Sequence, residues 1–163
     1  MSEKKLRLPP RLVAIAGFIE KGSNVADIGT DHGFLPVYLA QKGFAQRIIA
    51  SDKSSDSLKS ALRSAVKYGV ADKISFIAAP GLSGVDEAEV DTVVIAGMGG
   101  ETIMGILADA PWTKRCGTRL ILQPQTKTDK LCYWLNENGY SIRDLTLTQD
   151  KGRYYIVLRV QSH

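Results

Sequence analysis

The sequence predicts an α/β fold in which a doubly wound, mostly parallel seven-stranded sheet ends in an antiparallel hairpin. Two observations predict it. Short apolar runs rich in β-branched residues alternate along the chain with segments of helical periodicity, which is typical of a parallel sheet covered by helices on both faces. The last two strand-like runs follow each other directly, and the short connection between them contains Asp150 and Gly152, as in a tight hairpin.

The strands and helices can be placed from these patterns. A leading helix follows Pro9 and Pro10 and ends near Gly22, since proline is tolerated in a first helical turn. The predicted strands are 24–28, 47–50, 74–78, 92–96, 119–122, 140–148 and 153–160. The predicted helices are 33–41, 54–69, 98–108 and 128–138, of which the second is capped by Ser54 and has an apolar face of Leu58, Ala61, Leu62, Ala65 and Val66.

Composition and length indicate one globular domain over residues 1–163, with a short helix at its start. Apolar residues make up 44% and charged residues 23% of the chain, and no repeat, linker or low-complexity segment interrupts it. No apolar run approaches the roughly 20 residues of a membrane span. The N-terminus lacks the apolar core of a signal peptide. We therefore expect a cytoplasmic protein without membrane contact, and the sequence leaves its oligomeric state open.

The charged residues, cysteines and histidines indicate which kinds of ligand to expect. The formal charge is +4, and positive residues are concentrated near the start of the chain, at Lys4, Lys5, Arg7 and Arg11. These residues suit an anionic partner, and equally a solvated terminus. Cys116 and Cys132 are 16 residues apart and the histidines form no cluster, so we expect reduced thiols and no metal site.

The first turn after a strand carries the strongest chemical signal. In open α/β sheets ligands bind beyond the carboxyl ends of the strands, and here Asp27, Gly29, Thr30 and Asp31 stand at such an end. The turn lacks the GxGxxG pattern, and Asp31 would repel a pyrophosphate where a dinucleotide site has glycine. A cofactor carrying a cationic sulfonium and an amino group would be attracted instead. The alternative is that Thr30 or Asp31 only caps the following helix.

Two further strand ends support this interpretation. Asp52 follows the second strand, 23 residues after Gly29, where an acid commonly accepts hydrogen bonds from ribose hydroxyls; a helix-capping role is the alternative. The turn 96–100 has three glycines within four residues, which leaves room for a methyl donor and a flat base. His32 could act as a base, although a lone histidine at a helix start is more often structural.

The complete motif set resembles one known family. The segments DIGTDHGFLP (27–36), VDTVVIAGMGGETI (90–103) and RLILQPQ (119–125) occur in an order similar to that of the bacterial tRNA adenine(22)-N1-methyltransferases, known as TrmK. The resemblance extends from KLRLPPRL (5–12) to RYYIVLRV (153–160). The closing hairpin also favours a class I, Rossmann-like methyltransferase over a dinucleotide-binding domain, which usually continues with strand–helix units.

The resemblance implies methyl transfer from S-adenosyl-L-methionine to N1 of an adenine in tRNA, at position 22. N1 has a lone pair and no proton, so the reaction needs alignment rather than an obligatory general base. Asp31 is the candidate catalytic residue, orienting the adenine through its amino group and offsetting the positive charge that develops. The phosphate-binding candidates are Lys4, Lys5, Arg7 and Arg11. The cofactor-binding candidates are Asp27, Gly29, Thr30, His32, Asp52, Lys53, Gly81, Leu82, Ala96, Gly97, Met98 and Gly99.

Two departures from the family pattern keep alternatives open. Ala79-Pro80-Gly81-Leu82 replaces a Gly-Asp-Gly-Leu stretch whose acid would meet the cofactor adenine. Family members also continue into a helical domain, whereas this sequence ends at His163. A truncation, a short homologue and a protein with a changed substrate would each end in this way. The alternatives are a methyltransferase for another RNA or a small molecule, and a catalytically silent binding module. An NAD-dependent oxidoreductase is disfavoured by Asp31 and the hairpin.

Overall fold

The computed structural model describes residues 4–163, in which seven strands form one sheet. In chain order the strands are β1 (Ser23–Ile28), β2 (Ala45–Asp52), β3 (Ser75–Ala78), β4 (Thr92–Met98), β5 (Arg119–Pro124), β6 (Tyr140–Asp150) and β7 (Arg153–Ser162). Their order across the sheet is β3-β2-β1-β4-β5-β7-β6. The first five strands are parallel, and β7 is antiparallel to both β5 and β6. The predicted sheet and its closing hairpin are confirmed.

Helices cover both faces of the sheet. They are α1 (Pro10–Ala16), α2 (Phe34–Lys42), α3 (Ser55–Lys67), α4 (Gly100–Ala108) and α5 (Thr128–Glu137), with short 3₁₀ turns at Ala71–Lys73 and Pro111–Lys114. Alternate residues of each central strand enter different cores: Val94 packs with α1, α2 and α3, while Val93 and Ile95 pack with α4 and α5. The doubly wound arrangement is therefore observed directly. No helix within residues 4–163 is long and apolar enough to span a membrane.

Some predicted boundaries were wrong. The leading helix ends at Ala16 instead of near Gly22, because the chain turns at Gly17 and buries Ile19 through a separate turn. Strand β4 continues to Met98, so the following helix begins at Gly100. Most other strands also extend beyond the predicted bounds, since backbone pairing continues past the apolar residues that mark each strand.

The predicted apolar face of α3 was too broad. Ala61 and Ala65 are fully buried, whereas Leu62 is 45% exposed and Val66 is 64% exposed. Ala61 and Ala65 are the fully buried residues of α3, and Ala61 lies close to Gly33 at the start of α2. The predicted cap is confirmed: the Ser54 hydroxyl accepts a hydrogen bond from the Ser57 backbone N–H at 3.2 Å.

A topological switch point lies between β1 and β4. From β1 the sheet extends through β2 and β3 in one direction, and through β4 and β5 in the other. The connections that leave β1 and β4 therefore diverge, and a cleft opens at their carboxyl ends. This is the place where open α/β sheets bind ligands.

The closing hairpin extends beyond this edge of the sheet. Only Leu158–Val160 of β7 pair with β5, so the residues from Arg153 to Val157 continue past the paired part of β5. The turn consists of two residues, Lys151 and Gly152, both with positive φ (50° and 77°) as in a type I′ turn. Because β7 is antiparallel to β5, the tip lies at the same edge of the sheet as the cleft.

The first prediction concerns the contact between α2 and α3. Gly33 has φ +70°, and a Cβ atom there would lie 2.8 Å from the Ala61 Cβ; Gly43 has φ +61° with nothing within 4 Å. We expect Gly33→Ala to lower the free energy of unfolding by about 2–4 kcal/mol, and Gly43→Ala by only about 1 kcal/mol. The difference isolates steric overlap from backbone strain. Urea unfolding measures both, and equal losses would contradict a close helix contact.

Candidate active site

A cleft of about 870 Å³ lies at the carboxyl ends of the parallel strands. One side is formed by the turns after β1, β2 and β3, and the other by the turns after β4 and β5 and by the tip of the hairpin. The structure brings together nearly all of the predicted cofactor residues. Those that line the cleft are Asp27, Gly29, Thr30, His32, Asp52, Lys53, Gly81, Ala96, Gly97, Met98 and Gly99, and Asp31 lies among them.

Asp27 forms the floor of the cleft and is 6% exposed. Its carboxylate accepts a hydrogen bond from the Thr30 hydroxyl at 2.9 Å. Burial raises the pKa of Asp27 from an ordinary 3.8 to about 7; the Thr30 hydrogen bond and the positive charge of Arg11 oppose this increase, and the negative charge of Asp52 adds to it. A cationic ligand would return Asp27 to its ionised form.

Asp52 connects two of the turns that surround the cleft. Its carboxylate accepts hydrogen bonds from the Asp31 backbone N–H at 3.2 Å and from the Ser54 backbone N–H at 2.9 Å. The carboxylate is thus held in place while each oxygen keeps acceptor capacity for a ligand. The Asp31 side chain is 71% exposed and its φ is 54°, so this residue presents its carboxylate to the open part of the cleft.

The glycine turn at the end of β4 is fixed by the end of β5 and by the segment that follows it. The Gly97 N–H donates to the Gln123 Oε1 at 3.0 Å, and the Gly100 N–H donates to the Thr126 carbonyl at 2.8 Å. A Cβ atom at Gly100 would lie 2.7 Å from the Lys127 carbonyl oxygen, so only glycine fits there. The terminal methyl of Met98 covers the backbone of Gly29, where any Cβ atom would overlap it.

His32 lies at the rim of the cleft. Its Nδ1 is 2.8 Å from the Ser60 hydroxyl, and its ring stacks on Phe34 with centroids 5.4 Å apart. These contacts attach the turn after β1 to α3. They agree with the structural role weighed from the sequence, and they leave the 57% exposed side chain in reach of a bound ligand.

The structure separates Arg11 from the other basic residues near the start of the chain. Arg11 lines the cleft, and its Nη1 donates to the Gln123 Oε1 at 3.3 Å. Lys4, Lys5 and Arg7 are exposed and lie outside the cleft lining. The backbone carbonyl of Lys4 accepts a hydrogen bond from Gln41 at the end of α2.

Leu82 also lies outside the lining of this cleft. Its side chain is 5% exposed and packs into the core between the sheet and α4. Pro80 and Gly81 provide the surface after β3 instead, since Leu82 turns inward one residue later. Leu82 contributes to a smaller adjoining depression that shares Pro80 and Gly81 with the cleft.

Sequence reasoning missed several residues of the cleft. Gln123, at the end of β5, is buried and supports the cleft without lining it. It was outside the predicted strand, although a polar residue after an apolar run is the same signal that identified Asp27 and Asp52. The missed residues that line the cleft include Phe34, Thr102, Ile106, Gln125, Asp150, Lys151 and Tyr155. In residues 4–163 no group of three or more His, Cys, Asp or Glu side chains is arranged to hold a metal ion.

Fold and site together define a class I methyltransferase domain. The family model "Methyltransferase domain" matches residues 8–158. The tRNA (adenine(22)-N(1))-methyltransferase of Bacillus subtilis (strain 168) is 36% identical over 97% of this chain and 66% of its own length. The chain belongs to the methyltransferase domain family and, within it, to the TrmK family.

Solved structures agree with this assignment. The crystal structure of the B. subtilis M1A22 tRNA methyltransferase TrmK has a TM-score of 0.89 and 33% identity, covering 98% of this chain and 68% of that one. Streptococcus pneumoniae Sp1610 in complex with S-adenosyl-L-methionine has a TM-score of 0.87 and 32% identity, covering 93% and 72%. The chain therefore spans about two thirds of the length of these relatives.

The second prediction follows from the buried carboxyl of Asp27. The folded protein holds this proton up to about pH 7, whereas the unfolded chain releases it near 3.8. The free energy of unfolding should therefore fall as the pH rises from about 4 to 7, by at most about 1.4 kcal/mol per pH unit, and then level off.

Asp27→Asn removes the titrating group and retains an oxygen that can accept the Thr30 hydrogen bond. Subtracting its pH–stability profile from that of the wild type cancels the other titrating groups. We expect the wild type to lose stability relative to Asp27→Asn across this range, as measured by urea unfolding at several pH values without ligand. Parallel profiles would show that Asp27 keeps an ordinary pKa.

Proposed function

We propose that this protein transfers a methyl group from S-adenosyl-L-methionine to N1 of an adenine in tRNA, at position 22. The observation that carries the proposal is the convergence of Asp27, Asp31 and Asp52 on one cleft beside the glycine turn after β4. A TrmK relative matches nearly the whole chain, and a structural neighbour holds this cofactor. We also propose that the protein acts in the cytoplasm, where the tRNA of a bacterium such as the source of the B. subtilis relative is found.

The residues of the cleft fit the cofactor. Gly97 leaves its backbone exposed where a ligand must approach closely. Met98 covers the backbone of Gly29, and its flexible side chain can move to let a ligand approach there as well. The buried carboxyl of Asp27 favours a cationic ligand. Asp52 suits the ribose hydroxyls, and Arg11 provides a cation beside Asp27 that suits the carboxylate of an amino acid.

The surface after β3 also accommodates an adenine, although Pro80 stands where the family pattern has an aspartate. Pro80 and Gly81 line the cleft, and Ile106 lies 3.3 Å from a Cβ atom built on Gly81. An apolar wall and accessible backbone are thus present at this position. Adenine recognition there would depend on packing and main-chain contacts instead of a carboxylate.

When bound, S-adenosyl-L-methionine supplies an electrophilic methyl group: the adenine N1 lone pair forms the new bond while the carbon–sulfur bond breaks towards sulfur, and the adenine gains the positive charge. Asp31 presents an exposed carboxylate at the opening of the cleft, where it can accept from the adenine amino group and stabilise this charge. The target adenine must be unpaired, because N1 lies on its Watson–Crick edge. Lys4, Lys5 and Arg7 are assigned to tRNA phosphates.

The third prediction tests the cofactor. We expect calorimetry to show saturable binding of S-adenosyl-L-methionine and none of NAD. Asp52→Asn should weaken binding by about 10- to 100-fold, because it removes a charged hydrogen-bond acceptor. Asp72→Asn, in the 3₁₀ turn after α3, is the matched control and should leave the affinity unchanged. Failure of the wild type to bind S-adenosyl-L-methionine would overturn the proposed function.

The fourth prediction tests Asp31. Asn tolerates the positive φ of this position, so Asp31→Asn preserves the backbone and removes only the charge. We expect the turnover number on tRNA to fall by about 10²- to 10³-fold, with unchanged affinity for S-adenosyl-L-methionine. Full turnover in the variant would exclude this role.

The same assay identifies the acceptor. Unmodified tRNA should be methylated, and tRNA with guanine in place of adenine 22 should not. Methylation of free nucleosides at a comparable rate would favour a small-molecule substrate, and methylation of the substituted tRNA would place the target at another nucleotide.

A further inference from the structure

The cleft has two halves, and most of the residues proposed for the cofactor lie in one of them, with the glycine turn and Arg11 at the border between the two. Asp52, Pro80 and Gly81 follow β2 and β3, on one side of the switch point. On the other side, beyond the glycine turn at the end of β4, the lining comes from Gln125 and from the hairpin. The hairpin half is therefore the part of the cleft that is available to the acceptor.

Tyr155 is the aromatic side chain that the hairpin contributes to this half. It belongs to the segment of β7 that continues past the paired part of β5, and it is partly buried against the cleft. Its neighbour Tyr154 points to the opposite face of the hairpin, because side chains alternate along a strand, and is 68% exposed. The two tyrosines thus differ in position while sharing the same turn and strand.

A chain of contacts connects Tyr155 to the glycine turn. The Arg11 guanidinium carbon lies 6.0 Å from the centre of the Tyr155 ring, and the Arg11 Nη1 donates to Gln123. The same Gln123 oxygen accepts from the Gly97 N–H. Gly97 is open on this side, where a Cβ atom would be 3.6 Å from the Gln125 amide nitrogen and 3.8 Å from Arg11. Tyr155 is consequently held in a defined position relative to the turn.

We propose that Tyr155 is the stacking surface for the extruded target base. An aromatic ring stacks on the flat face of an unpaired base. The Watson–Crick edge of the base then remains free to reach the carboxylate of Asp31. The Arg11 guanidinium carbon lies over the ring, 6.0 Å from its centre, and Arg11 is hydrogen-bonded to Gln123. The proposal rests on the proposed function, since it requires an RNA base as the acceptor, and it assigns substrate positioning to the hairpin.

The experiment compares three variants of the full chain in the tRNA methylation assay: Tyr155→Ala, Tyr155→Phe and Tyr154→Ala. For each, kcat and KM for tRNA, the dissociation constant for S-adenosyl-L-methionine and the thermal midpoint are measured. We expect Tyr155→Ala to lower kcat/KM for tRNA by about 10- to 100-fold, in line with the loss of one base–aromatic stack. Its cofactor affinity should stay within about twofold of wild type.

Tyr155→Phe keeps the ring and should retain activity within about threefold, and Tyr154→Ala, on the other face, should resemble wild type. Wild-type kcat/KM in Tyr155→Ala would overturn the proposal while leaving the proposed function intact. A loss of kcat/KM in Tyr155→Phe equal to that in Tyr155→Ala would assign the effect to the hydroxyl. A loss of cofactor affinity in Tyr155→Ala that parallels its loss of kcat/KM would assign Tyr155 to the cofactor half of the cleft. Either result would overturn the stacking role. A wild-type protein that binds the cofactor and methylates no RNA would instead overturn the proposed function itself.

Discussion

The arrangement of the cleft depends on one buried amide. Gln123 is completely buried at the end of β5, where its oxygen accepts from the Gly97 N–H and from Arg11, and its nitrogen donates to the Pro124 carbonyl. Leaving a buried polar group without such partners would lower the free energy of unfolding by about 1–3 kcal/mol. These hydrogen bonds therefore favour a single arrangement of the residues around Gln123. The glycine turn, the Arg11 cation and the hairpin that packs on it are thereby positioned together.

The electrostatics of the cleft follow from the same geometry. Asp27 is buried beside both Arg11 and Asp52, and burial outweighs the attraction of the nearby cation, as its raised pKa shows. Asp52 and Asp31 remain more accessible, and their turns are connected by a hydrogen bond that the Asp31 backbone N–H donates to the Asp52 carboxylate. The floor of the cleft thus binds a proton near neutral pH, and a positively charged ligand would replace that proton. This is a physical reason for a sulfonium cofactor to fit where a pyrophosphate would be repelled.

The sequence predicted one side of the cleft better than the other. Asp27, Asp52 and the glycine turn stand at the ends of periodic strands, so local pattern and the parallel topology were sufficient to bring them together. Leu82 was assigned to the cofactor from its neighbours in the motif, yet whether a side chain points into the core or the cleft depends on the turn after β3. Arg11 was grouped with Lys4, Lys5 and Arg7 because they are adjacent in the chain, and only tertiary packing separates them.

The position of Tyr155 could not be predicted from local sequence patterns. Its segment, RYYIVLRV, reads as a strand, but its position over the cleft depends on the register between β7 and β5, which pair only through Leu158–Val160. A shift of two residues would keep every side chain on its face and move Tyr155 by about 7 Å along the strand axis. Register therefore determines whether the hairpin only closes the sheet or also forms part of the site. Sheet closure and the proposed substrate positioning would thus be served by the same two strands. The hairpin half of the cleft is specified by long-range pairing, whereas the half after β2 and β3 is specified by local turns.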